Sequence, residues 1–138
     1  MNPVSLTKPY YESKAISISW NPEGGFIHVE WRGYASNAEY LEILGKQLAL
    51  TKQKKAANIL YDLRKLGVVS VDNQKYTNEV YFPQMSEAGS KRAAIVVPEG
   101  AFGALSVNSI LGKKNEALFK AKLFTDTDTA RQWLTQPA

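Results

Sequence analysis

Two short runs, NILYDL at residues 58–63 and RAAIVV at 92–97, are apolar at consecutive positions rather than at alternate ones. A strand reads this way when both faces of its sheet are covered, the normal situation of a parallel sheet with helices packed on it. The chain around the two runs fits that picture. From Ala15 to Trp20 the pattern alternates, with Ile16, Ile18 and Trp20 on one face and serines on the other. After a turn at Asn21–Gly25, the alternation resumes from Phe26 to Trp31. There Phe26, His28 and Glu30 share one face, and Ile27, Val29 and Trp31 share the other. These two stretches predict a β-hairpin.

The helical signals come between the strands. Ser36 and Glu39 have the spacing of a capping box, in which the serine oxygen accepts from the Glu39 amide and the glutamate reaches back. Tyr40, Leu41, Leu44 and Leu48 then recur at helical spacing, predicting a helix from about Asn37 to Lys54. Leu66 to Val71 leads as a loop into a second helix, capped by Ser70 or Asp72. It carries Tyr76, Val80 and Tyr81 and is expected to kink or break near Pro83, which has no N–H to donate. A third helix holds Phe102, Leu105, Ile110 and Leu111 and stops at Gly112. A strand within Ala117–Phe124 follows, and Asp126 or Thr127 caps a last helix bearing Ala130, Trp133 and Leu134. The order is ββαβαβαβα. The expected class is α/β, with a mostly parallel sheet, right-handed crossovers and helices on both faces. One domain over residues 1–138 is expected, with residues 1–14 as a loosely held arm.

Composition narrows the function classes. The chain is 44% hydrophobic and 22% charged, as a folded globular domain requires. It has no cysteine, which removes disulfides, thiolate metal sites and a cysteine nucleophile together and suits a reducing compartment. Met1–Tyr11 has no apolar run of the signal-peptide kind, and no stretch approaches the ~20 apolar residues of a membrane span, so a cytoplasmic location is expected. The net charge is +4. Lys46, Lys52, Lys54 and Lys55 lack acidic neighbours. They either attract an anionic partner or close a helix at the negative end of its dipole, and the second reading is adopted. Nucleic acid is therefore not the expected partner.

The residue types that carry chemistry are sparse. His28 is the sole histidine and sits mid-strand. Gly100 and Gly103 follow a strand and open a helix, but neither the lysine of a phosphate loop nor the three-glycine dinucleotide pattern accompanies them; they read as allowing close packing of helix on sheet. Asp62 ends a predicted parallel strand, where α/β folds place their sites, with Asp72 a loop away. Asp62 reads as tying down the loop that follows. No catalytic residue, cofactor site or metal ligand is assigned. The aromatics are numerous: Tyr34, Tyr40, Tyr61, Tyr76, Tyr81, Phe82 and Phe102 either line an apolar cavity or pack through the core.

In its order and in the stretches FIHVEWRG, NILYDLRKLGVVS, NEVYFPQMSEAGSKRAAIVVPEGAFG and LFTDTDTARQWL, the chain resembles the SpoIIAA-like family, relatives of STAS domains. The resemblance covers about Ala15 to Leu134. It implies a sheet of four to five strands flanked by helices, and a regulatory module that binds a protein partner. Family members carry a switch serine in an Asp-Ser-Ser-Gly-type loop. Here that stretch is Val69–Asn73, where Ser70 stands near the switch position without the tandem serine or the glycine, so Ser70 reads as a helix cap. A more distant relation to CRAL-TRIO lipid-binding domains implies an apolar ligand.

Two functional expectations follow. The first is a non-enzymatic, dimeric module that contacts a protein partner through the loop and helix carrying Gly67, Ser70, Asp72 and Tyr76. The alternative is a carrier of a small apolar or lipid-like ligand in a pocket lined by Tyr34, Tyr61, Tyr81, Phe82 and Phe102.

Overall fold

The computed structural model describes residues 9–137, so the first eight residues of the expected N-terminal arm lie outside the described part. Six strands form one mixed sheet: β1 (Tyr11–Glu12), β2 (Ile16–Asn21), β3 (Phe26–Trp31), β4 (Asn58–Asp62), β5 (Arg92–Val96) and β6 (Lys120–Phe124). They stand in the order of the chain, β1 to β6. β2 pairs antiparallel with β1 and with β3, while β3, β4, β5 and β6 run parallel. The predicted hairpin is β2–β3, with Ile18 opposite Val29. The short β1 was not anticipated: Tyr11 and Glu12 pair with Ile18 and Ser17, so part of the expected arm is an edge strand.

The helices are α1 (Asn37–Lys54), α2 (Val71–Tyr76), α3 (Phe82–Ala88), α4 (Ala101–Gly112) and α5 (Thr127–Thr135). A strand order that never reverses, combined with right-handed crossovers, sends every crossover helix to the same side of the sheet. Accordingly α1, α2–α3 and α4 build the main core with Ile27, Val29, Ile59 and Ile95. The final helix has no further strand to reach and folds back on the opposite face. There Ala130 and Leu134 cover Phe26, Leu60, Ala94 and Val96. Helices therefore do lie on both faces, but unequally, and NILYDL and RAAIVV are apolar on both sides for that reason.

Local signals set the boundaries. The capping box is formed as expected: Ser36 Oγ accepts from Glu39 N, and the Glu39 carboxylate accepts from Ser36 N. Lys52 and Lys54 sit in the last turn of α1, and Lys55 closes it in the left-handed conformation (φ 51°). Lys52, Lys54 and Lys55 thus stand at a helix terminus, while Lys46 lies within the helix with its Nζ over the Tyr11 ring. Ser70 caps α2, and Asp126 caps α5. Between α2 and α3, Thr77–Tyr81 forms a π-helical stretch, with Phe82 N–H bonded to Thr77 O. This is how the chain accommodates Pro83. The wider turn relieves the clash that proline would make with the preceding turn and removes the demand for its missing donor.

Candidate functional site

Beneath the three-helix layer lies a cavity of about 70 Å³, bounded by the sheet (Trp31, Tyr61, Ala93), α1 (Tyr40, Leu44, Gln47), the π-helical stretch (Thr77, Tyr81) and α4 (Val107, Ile110). Its walls are apolar except at two short hydroxyl chains. In one, Tyr40 Oη lies 2.7 Å from Thr77 Oγ1, which donates to Asn73 O at 2.7 Å. In the other, Tyr61 Oη lies 2.8 Å from Tyr81 Oη, which donates to Gln47 Oε1. Burial raises the Tyr40 hydroxyl to about 12, against the smaller opposing effect of its bond to Thr77. Burial also lifts Tyr61 and Tyr81 above the ordinary phenol range. All three stay neutral across physiological pH. Tyr61 is only partly buried and is among the residues that line this space.

This space is much smaller than the ~300–1,000 Å³ of a site for a drug-sized or lipid-sized molecule. Of the expected pocket residues, Tyr61, Tyr81 and Phe82 do line it. Tyr34 and Phe102 do not. Tyr34 lies 84% exposed in the loop after β3, and Phe102 stands on the outer face of α4. The inner face of that helix is set by Gly103, Ser106, Val107 and Ile110, whose spacing of three and four turns Phe102 and Leu105 outward. Sequence reasoning missed Gln47 and Thr77. The signal for Gln47 was available: it sits seven residues after Tyr40 and three after Leu44, on the same helical face.

The loop and helix expected to meet a partner lie on the outside of this cavity, at the C-terminal end of the parallel strands. Ser70 Oγ accepts from Asn73 N at 3.2 Å, so its hydroxyl caps the helix. Gly67 and Asp72 are exposed, and Tyr76 is partly so. Here two chain segments lock together. Val69 N donates to Ser106 Oγ at 2.9 Å, and Gly103 meets the backbone of Leu66 with no room for a Cβ. Gly103 thus allows close packing of helix on loop, while Gly100 has nothing near it. Around this junction Val68, Val71, Phe102 and Leu105 stand 66% to 77% exposed.

In the polar cleft at the ends of β3 and β4, Asp62 is tied to Arg64. Burial alone would raise the Asp62 carboxyl, but Arg64 binds it through Nε at 2.9 Å, NH2 at 2.7 Å and its backbone N at 3.2 Å, and holds it below the usual carboxylate range. Asp62 therefore anchors the following loop, as its position suggested. Glu30, its register neighbour, bonds Arg32 at 3.3 Å. His28, two residues back, is depressed chiefly by burial, and its Nε2 has no partner among the described residues.

Comparison with protein-family models, with curated proteins and with solved structures gave no match. Among the described residues, no helix is long and apolar enough to cross a membrane.

Proposed function

We propose that the chain is a non-enzymatic, STAS-like binding module that recognises a protein partner through the junction of the Leu66–Tyr76 segment with α4. The observation that carries this reading is the group Val68, Val71, Phe102 and Leu105, four large apolar side chains left in water on a backbone fixed by the Val69–Ser106 bond and the Gly103–Leu66 contact. Apolar groups gathered on a rigid surface are what a partner interface uses, since their burial drives association without a cost for ordering the loop. Gly67, Asp72 and Tyr76 would form the rim, and Ser70 would hold the helix end in place. The supporting pattern is the expected ββαβαβαβα order together with carboxylates already tied to arginines. A second copy of the chain is one partner of this chemistry, in line with the dimer expected from the sequence.

Affinity capture with the native chain and with Val71→Asp/Phe102→Asp, both checked for native circular dichroism, tests the proposal. Partners recovered by the native chain should be missing from the variant, and sedimentation would show whether the partner is a second copy. Identical recovery by a folded variant would discard this surface.

A further inference from the structure

The sheet ends on a full-length strand. β6, outermost beyond β5, has five residues, whereas β1 at the other edge has two. In an extended chain the N–H and C=O of one residue point to the same side of the strand, and successive residues alternate. Lys120 N donates to Lys91 O and Phe124 O accepts from Val97 N, so Lys120, Lys122 and Phe124 turn their backbone groups towards β5. Ala121 and Leu123 therefore turn theirs outward, where the described residues offer no partner strand. Side chains alternate between the two faces as well. Lys120 and Lys122 are exposed on the face that α5 partly covers, with Lys122 Nζ 5.6 Å from the Phe124 ring. Leu123, 49% exposed, stands on the other face. Among the described residues, no carboxylate forms an ion pair with Lys120, Lys122 or the adjacent, exposed Lys91.

An open edge of this kind is where an extended chain adds as a further strand. We propose that β6 takes up an extended acidic segment of a partner protein as a seventh strand, with acidic side chains opposite Lys120 and Lys122 and an apolar one opposite Leu123. The backbone groups of Ala121 and Leu123 supply the attachment, since a polypeptide offers the alternating N–H and C=O groups that they leave open. The two lysines, free of carboxylate partners, select the sequence. They also disfavour a second copy of the chain at this place. Antiparallel pairing of two copies along the whole of β6 sets Lys122 opposite itself, and like charges directly opposite one another are unfavourable. The edge uses none of Val68, Val71, Phe102 and Leu105, so this inference stands whether or not a protein partner binds that group.

The test titrates a short, end-blocked peptide of alternating glutamate and valine into the full chain, followed by amide NMR. Saturable shifts along β6 are expected. Hydrogen exchange should slow at the Ala121 and Leu123 amides and change little at Lys120 and Lys122, whose amides already face β5. A lysine–valine peptide should bind roughly tenfold more weakly, because two like-charge pairs replace two opposite ones. Lys120→Glu/Lys122→Glu should reverse that preference. Leu123→Pro removes an outward N–H while leaving the bonds to β5, and should abolish binding. The exchange pattern of the native chain decides even if that variant fails to fold. Val71→Asp/Phe102→Asp should bind the peptide as the native chain does. The proposal is overturned by absence of binding, by binding without added protection at Ala121 and Leu123, or by equal affinity for the two peptides. It is also overturned if these amides become protected without peptide as the chain concentration rises, which would seat a second copy there.

Discussion

Gly103 lies against the carbonyl oxygen of Leu66 so closely that a methyl group at its Cα would overlap it. The overlapped atom is backbone, which cannot swing aside as a side chain would. Gly103→Ala should therefore cost about 1–3 kcal/mol, despite the better helix propensity of alanine. Gly45, within α1, has open space around its Cα, and Gly45→Ala should stabilise by about 0.5–1 kcal/mol. Urea denaturation of the two variants checks both signs. A neutral Gly103→Ala would mean that the loop and α4 are not locked together.

Filling the cavity should also stabilise the fold. Ala93 lines it and is 1% exposed. Ala93→Val adds two carbons on a strand, where a β-branched residue is favoured. At ~0.8 kcal/mol per buried CH₂ the gain is bounded near 1.5 kcal/mol, and a rise in Tm of several degrees is expected. Loss of stability would show that the walls have no room to spare.

The buried tyrosines make the fold sensitive to alkali. Tyr40 ionises at about 12 when folded and near 10 when unfolded. Above pH 10 the unfolded chain therefore gives up this proton while the folded chain keeps it, so stability falls as pH rises and is fully present below 10. Two units correspond to about 2.7 kcal/mol, all of it lost once pH exceeds 12. Tyr61 and Tyr81 shift in the same direction and add to the effect. The phenolate absorbance that Tyr40→Phe removes should appear together with the loss of far-ultraviolet circular dichroism through a pH titration; a Tyr40 phenolate that forms ahead of unfolding would place this hydroxyl in water.

Much of the fold can be read from the sequence because its signals are local. The Ser36–Glu39 box fixes where α1 begins, and an apolar run needs only its own residues to show that both its faces are covered. Features that depend on register or distance are not legible in this way. The strand at Tyr11–Glu12 exists only through its pairing with β2. The aromatic pocket was half legible: Tyr61, Tyr81 and Phe82 point inward, while Tyr34 and Phe102 point out. Helix α4 carries apolar residues on both its faces, at 102 and 105 and at 107 and 110, and composition cannot say which of them meets the sheet. The burial of Gly103 against Leu66, with Ser106, Val107 and Ile110 on the same face, leaves Phe102 outward.

Acid should act through His28. Its imidazole lies on the sheet face covered by α5, and Nε2 has no partner among the described residues. Burial is the main reason its pKa falls below 6.5. Glu30 and Asp62 work against that fall, and Arg131 and Arg64 reinforce it. A base depressed in the folded state is protonated more readily in the unfolded chain, so the stability it contributes is complete above 6.5 and declines as pH drops through the folded value. Since His28 is the sole histidine, one imidazole resonance reports it directly and should titrate below 6.5. The urea midpoint of the native chain should decrease across that window, and His28→Leu should flatten the decrease, because Asp62 is held ionised by Arg64 and protonates at lower pH. An imidazole titrating at or above 6.5 would mean that water or a carboxylate already reaches the ring, and that α5 does not seal this face.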